Sequence, residues 1–303
     1  MPRSSAAPGR GSGMDPISYF QAIVLGLLQG VSELFPISSL GHSVVLPRVF
    51  GWNIHQNDDY FLSFLVATHC ATALVLFVFF LQDWIRILKG LGRSLRDRYI
   101  DPQDKYAKLG WLLVIGTIPA GLIGLLLEHP LRTLFASTET AAIFLFVNGL
   151  MLFGAEALRR RAPVRDEAGI QNDEDIARRL SFREALGIGT AQALALIPGL
   201  SRSGASMGGG LLAGLSNEEA ARFAFLLATP IIGAAGVLKL PDLLGSQGDH
   251  VRGQALVGAL CAAVTAWFSV RFLLRFFETN RLTPFAVYCC VVGAVLSVAF
   301  ALS

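Results

Sequence analysis

Charge is scarce in this chain. Only 16% of its 303 residues are Asp, Glu, Lys or Arg, against roughly 25% in soluble globular proteins, which excludes both a water-soluble domain and a charged disordered chain. Cysteine is scarce too, and Cys70, Cys261, Cys289 and Cys290 all lie inside apolar runs. That excludes a disulfide framework and argues against a zinc site, so the four read as small packing residues. There is no P-loop, no GxGxxG and no HExxH, so the common nucleotide-binding and zinc-hydrolase signatures are missing. The net charge of +3 comes from cations confined to a few loops, which suits orientation in a membrane rather than a nucleic-acid surface, so no nucleic-acid partner is expected. What is abundant is apolar sequence: 53% of residues are hydrophobic, mean hydropathy is +0.55, and runs near the roughly 20 residues that cross a bilayer recur along the chain. The expectation is an all-α polytopic membrane protein.

Residues 1–13 are rich in Gly, Ser, Pro and Arg, read as a disordered extension, and leave a single membrane-embedded domain from 14 to 303, with Met14 a candidate start. Six segments are long enough to span: 60–81, 109–127, 140–158, 220–240, 254–274 and 284–302. Two others, 17–46 and 185–215, are broken midway by Pro, Ser, Gly and a charge, and each half is too short to cross. Lipid offers no partner to free backbone groups, so such breaks are tolerated only inside protein or beside a wet cavity. Both are therefore expected to be re-entrant helix hairpins.

Seven cations fall between Gln82 and Lys108 and seven more between Arg159 and Arg183, and Arg271, Arg275 and Arg281 flank the last connection, placing all three in the cytoplasm. The connections near Gly51, His129 and Gly248 hold only Arg48, Arg132 and Arg252 and belong outside. The count closes if the two hairpins enter from opposite faces and both termini lie outside. An internal repeat agrees: Pro36, Ser38, Gly41 and Ser43 fall on Pro198, Ser201, Gly204 and Ser206, and Leu65-Val66-Ala67-Thr68 echoes Leu226-Leu227-Ala228-Thr229. Related halves of opposite orientation form an inverted-topology repeat, whose site lies where the broken helices meet.

Chemistry is expected at those breaks. Glu33 is an ionisable group at bilayer depth, with Gln29 one turn earlier on the same face; the alternative is a water-exposed edge of a shallow hairpin. Ser38 and Ser39 suit helix caps, yet His42, one turn beyond Ser39, adds a base within reach of a hydroxyl. Arg202, in Ser201-Arg202-Ser203-Gly204 at a half-helix N-terminus, brings a fixed charge and planar donors matched to phosphate oxygens. Its competing reading is a structural lock onto Glu33. Asn148, Gln192, His69 and Thr229 are further polar groups in apolar runs, suited to supporting hydrogen bonds.

Gln29-Gly-Val-Ser-Glu33, Pro36-Ile-Ser-Ser-Leu-Gly-His42 and Pro198-Gly-Leu-Ser-Arg-Ser-Gly-Ala-Ser206 resemble the signature motifs of the bacterial undecaprenyl-diphosphate phosphatases, also called bacitracin-resistance proteins. The likeness runs from about Met14 through Ile118-Pro119-Ala120 to Pro284-Phe285-Ala286-Val287-Tyr288. It implies hydrolysis of undecaprenyl diphosphate to the monophosphate on the periplasmic side of the inner membrane, recycling the carrier lipid for cell-wall synthesis and conferring bacitracin resistance. It also assigns catalysis to Glu33, Ser39, His42 and Arg202, with Gln29, Ser38, Ser201, Ser203, Gly204 and Ser206 around the substrate. Ser39 would attack with His42 as base or acid, while Glu33 orients His42 or holds a divalent cation, Mg or Ca, together with the substrate phosphates. No organic cofactor is implied, and a homodimer is compatible. Gln29 stands where a second carboxylate is common, Leu40 where many members carry Thr, and Ser206 keeps the hydroxyl of the usual Thr. A transporter or flippase of isoprenyl phosphate lipids, using the same anion site, is the alternative, since broken-helix inverted repeats also build transporters.

Overall fold

A computed structural model describes residues 17–54, 58–127, 137–160, 173–245 and 251–302, and every regular element among them is helical. The expected extension at 1–13, Met14, the connections around His129 and Gly248, and the cations Arg132, Arg161 and Arg165 lie outside the described residues. In chain order the helices are α1 (Tyr19–Ser32), α2 (Ser39–Val49), α3 (Asp59–Phe79), α4 (Leu81–Asp97), α5 (Lys105–Leu126), α6 (Thr138–Arg159), α7 (Asp173–Arg179), α8 (Phe182–Ala193), α9 (Arg202–Leu212), α10 (Asn217–Leu244), α11 (Arg252–Thr279) and α12 (Thr283–Leu302). Six of them, α3, α5, α6, α10, α11 and α12, are long and apolar enough to cross a membrane, as expected for a multi-pass membrane protein. Each starts slightly before its apolar run, because the first turn recruits polar residues such as Lys105, Glu139 and Glu218.

The two interrupted segments are pairs of half-helices. α1 and α2 have 14 and 11 residues, α8 and α9 have 12 and 11, all short of the roughly 20 needed to span. Their starts are written in the sequence. Capping boxes at Ser18/Gln21 and Ser181/Glu184 open α1 and α8. After each break, Ser38 caps α2 by accepting from the Gly41 amide at 3.2 Å, and Ser201 caps α9 by accepting from the Gly204 amide at 3.1 Å. These are equivalent positions of the internal repeat, so the repeat holds at the level of individual hydrogen bonds.

Glycine sets how closely the pieces approach. A Cβ at Gly26 would lie 2.3 Å from the Gly258 carbonyl oxygen, and one at Gly189 would lie 2.2 Å from that of Gly116, so α1 rides on α11 and α8 on α5. Gly41 of the first break faces Gly199 of the second, with 3.0 Å between an added Cβ and the Gly199 Cα. The tips of the two breaks therefore touch.

The basic connection from Gln82 to Lys108 is more ordered than a loop. It contains α4, whose Trp84, Ile87, Gly90 and Ser94 are buried while Arg86, Lys89, Arg93 and Arg96 face outward. The high charge density that marked this stretch as a loop is the polar face of an amphipathic helix. It packs on α5 and is tied to α10 by Asp83 and Arg222 at 2.7 Å.

Candidate active site

Glu33 directly follows α1 with its backbone still in the right-handed helical region, and the residue is 6% exposed. Its carboxylate gathers four side chains from both breaks and from α3. Gln29, one turn back, donates from Nε2 to Oε2 at 3.0 Å. Ser39, the first residue of α2, donates its hydroxyl to the same oxygen at 2.5 Å. Arg202, the first residue of α9, donates from Nη2 to Oε1 at 3.1 Å, and His69 Nε2 lies 3.2 Å from Oε2. Three hydrogen-bond donors and an imidazole meet this buried side chain, the surroundings of an ionised carboxylate. Such a group is tolerated only when compensated.

Arg202 is only partly used. Its Nε and Nη1 are buried without a hydrogen-bond partner, whereas Nη2 holds Glu33. Buried donors of this kind are costly unless something accepts from them. The helix dipole and the first-turn N–H groups of Arg202 and Ser203, which have no intrahelical acceptor, add positive potential at the same place. An oxyanion beside Arg202 would satisfy all of them, and it would sit next to the Ser39 hydroxyl through their shared partner Glu33.

The residues around this centre mostly hold the breaks together. Asn148 of α6 donates from Nδ2 to the Pro36 carbonyl at 2.9 Å and accepts from the Ser201 amide at 2.9 Å, joining the two breaks through one side chain. The Ser203 hydroxyl donates to the Phe35 carbonyl at 3.0 Å and lies 3.0 Å from Ser201 Oγ. Thus, of the residues expected around a phosphate, Ser203 spends its hydroxyl on joining the tips, while Ser201 Oγ and the Gly204 amide form the cap of α9. Ser206, one turn beyond Arg202, is fully buried with an unpartnered hydroxyl. Gln192 binds the Gly116 carbonyl at 3.1 Å, and Thr229 donates to the Phe225 carbonyl of its own helix at 3.4 Å.

His42 does not meet Ser39. Its Nδ1 donates to the Ser38 carbonyl at 2.7 Å, four residues back, and its Nε2 accepts from the Tyr288 hydroxyl at 2.9 Å. The cap turn of α2 captures one ring nitrogen and α12 the other, so the Ser39 hydroxyl turns to Glu33 instead. Glu33 accordingly does not orient His42. The imidazole beside the carboxylate is that of His69, whose only signal in the sequence is a polar residue inside an apolar run.

The donor set fits a resident divalent cation poorly. Both Glu33 oxygens already accept from donors, a guanidinium and an imidazole stand against them, and the uncommitted oxygens among the described residues of the two breaks are neutral ones such as Gln29 Oε1 and Ser206 Oγ. Magnesium and calcium sites ordinarily need more oxygen ligands and no adjoining cation.

Six membrane-length helices enclosing two broken hairpins, whose tips share a buried charged centre, define a multi-pass membrane protein of the broken-helix type. The chain belongs to the family described as bacitracin resistance protein BacA, whose model matches residues 22–295. It is 48% identical over 302 residues to an undecaprenyl-diphosphatase of Mycolicibacterium paratuberculosis, covering 94% of this chain and 98% of that one. It is 43% identical over 345 residues to undecaprenyl-diphosphatase 2 of Frankia alni, covering 96% and 100%, and 42% identical over 284 residues to undecaprenyl-diphosphatase 2 of Chromobacterium violaceum, covering 91% and 96%.

Proposed function

We propose that this protein hydrolyses undecaprenyl diphosphate to undecaprenyl phosphate and inorganic phosphate. The observation that carries the reading is the Arg202 guanidinium, held at the start of α9 with two buried donors unpartnered, one residue away from the Ser39 hydroxyl through Glu33. Arg202 and the α9 N-terminus take the diphosphate oxygens and stabilise charge as it develops. Ser39 Oγ attacks the terminal phosphorus, its proton passes to Glu33 Oε2, and the bridging P–O bond breaks to release the isoprenyl monophosphate. Water then attacks the phosphoserine, Ser39 recovers the proton from Glu33, and dihydrogen phosphate leaves. Glu33 thereby does the base's work that the sequence suggested for His42, and His42 fixes the cap of α2 against Tyr288. A divalent cation, Mg or Ca, would have to arrive with the substrate, because both Glu33 oxygens are already engaged, and no step here is routed through it.

By the family's role and the loop charges, the protein resides in the bacterial inner membrane with its site opening to the periplasm and both termini outside. There it returns the carrier lipid to peptidoglycan synthesis and so opposes bacitracin. A lipid phosphate carrier is the second reading, favoured by the paired broken helices; it needs binding groups but no nucleophile. Phosphate release from undecaprenyl diphosphate by the purified protein in detergent decides between them, with Ser39→Ala and Arg202→Ala, with and without EDTA. Activity lost in both variants while each still folds supports the phosphatase. Release surviving Ser39→Ala replaces the serine by activated water, and no release by wild type leaves the carrier. Cross-linking in the membrane tests the homodimer.

A further inference from the structure

His69 stands outside the motifs that mark the site, yet it touches the central carboxylate. Its Nδ1 lies 2.7 Å from the Leu65 carbonyl oxygen, which can only accept, so Nδ1 carries a hydrogen. Its Nε2 lies 3.2 Å from Glu33 Oε2, which already accepts from Gln29 and Ser39. Repulsion between a bare lone pair and that oxygen favours a hydrogen on Nε2 too. As an imidazolium, His69 would share Glu33 with Arg202, His69 on Oε2 and Arg202 on Oε1. Glu33 and Arg202 are the charged groups that act on His69 among the described residues.

Two cations on one carboxylate acquire a purpose when an anion arrives. A diphosphate competes with Glu33 for the Arg202 guanidinium, and a buried carboxylate that lost its only cation would be strongly destabilised. We infer that His69 is the positioning residue that holds Glu33 ionised and aimed at Ser39 while Arg202 swings its third donor from Glu33 to the substrate phosphate. No bond is made or broken at His69. The repeat gives α10 no such group: where Thr68 is followed by His69, Thr229 is followed by Pro230. This inference rests on the phosphatase reading for its kinetics and on the anion site alone for its binding.

The test compares wild type, His69→Gln and His69→Lys in detergent, by steady-state phosphate release across about pH 5–9 and by calorimetric binding of inorganic pyrophosphate. Glutamine keeps a donor without the charge. It is expected to lower kcat and weaken pyrophosphate binding, each by about tenfold, and to abolish the fall in wild-type activity at alkaline pH that follows deprotonation of His69. Lysine restores charge and is expected to recover part of the binding. Wild-type kcat, an unchanged alkaline limb and equal pyrophosphate affinity in His69→Gln would overturn the inference. If His69→Gln does not fold, a wild-type profile with no alkaline fall, or His69→Lys binding no pyrophosphate while folded, overturns it equally. Pyrophosphate binding that depends on His69 in a protein releasing no phosphate would sink the phosphatase and leave the handover standing.

Discussion

The two broken hairpins share one backbone plan and divide the chemistry unequally. In each, a serine caps the second half-helix and a left-handed residue turns the chain into it, Ser38 at φ 69° in the first and Gly199 at φ +97° in the second. On that common scaffold the first hairpin places Gln29, Glu33 and Ser39, and the second places Arg202. The helix following the first break adds His69, whereas its counterpart adds Pro230. The repeat thus supplies caps, turns and close approach, and single residues on it supply charge of opposite sign. Neither hairpin satisfies its own charge, and each completes the other.

The sharpest way to break this comparison is to remove the reacting group from either side. Ser39→Ala is expected to lower phosphate release by more than about 10³-fold and Arg202→Ala by roughly 10²–10³-fold, as read in initial rates. If only one of them mattered, the division of labour would be wrong. Next comes stability. Arg202→Gln leaves Glu33 without one of its cations and is expected to cost about 3–5 kcal/mol, part of it recovered in the Glu33→Gln/Arg202→Gln double variant, which a denaturation cycle in detergent measures. A smaller effect separates the two turns. Gly199→Ala forces φ +97° on a residue whose Cβ would lie 2.3 Å from the Ala141 carbonyl oxygen, for a loss of at least about 2 kcal/mol. The smallest concerns the caps: Ser201→Ala is expected to cost about 1 kcal/mol, and Ser38→Gly only a few tenths, because glycine is a tolerable cap and accepts positive φ. Equal melting shifts for Ser38→Gly and Gly199→Ala would show that the turns are not strained differently.

Much of this architecture is legible in the amino-acid sequence. Run length located all six spanning helices, and the clustering of Pro, Ser and Gly located both breaks, because backbone that leaves a helix in lipid must be covered. Glu33 and Arg202 stood out for the same reason that they now face each other: an isolated charge at that depth is costly. Three things were not legible. α4 read as a loop because its polar face carries the cations that orient the chain. The motif places Ser201 and Ser203 together but does not show that the Ser201 hydroxyl caps α9 while that of Ser203 reaches across to the Phe35 carbonyl. His42 read as the partner of Ser39 because spacing along one helix reports which face a residue occupies and says nothing of what waits opposite.

The sequence by itself determined where the chain crosses, where it breaks and which charges lie at depth, since these follow from apolar length, capping chemistry and the cost of ions in lipid. The tertiary structure alone decided which groups meet. Ser38 and Tyr288 hold His42 away, Asn148 draws the two breaks together, and His69 reaches Glu33 from another helix. Those pairings depend on how close the helix backbones pass, which the glycines at 26, 41, 189 and 258 permit, and contact across helices leaves no period in the chain.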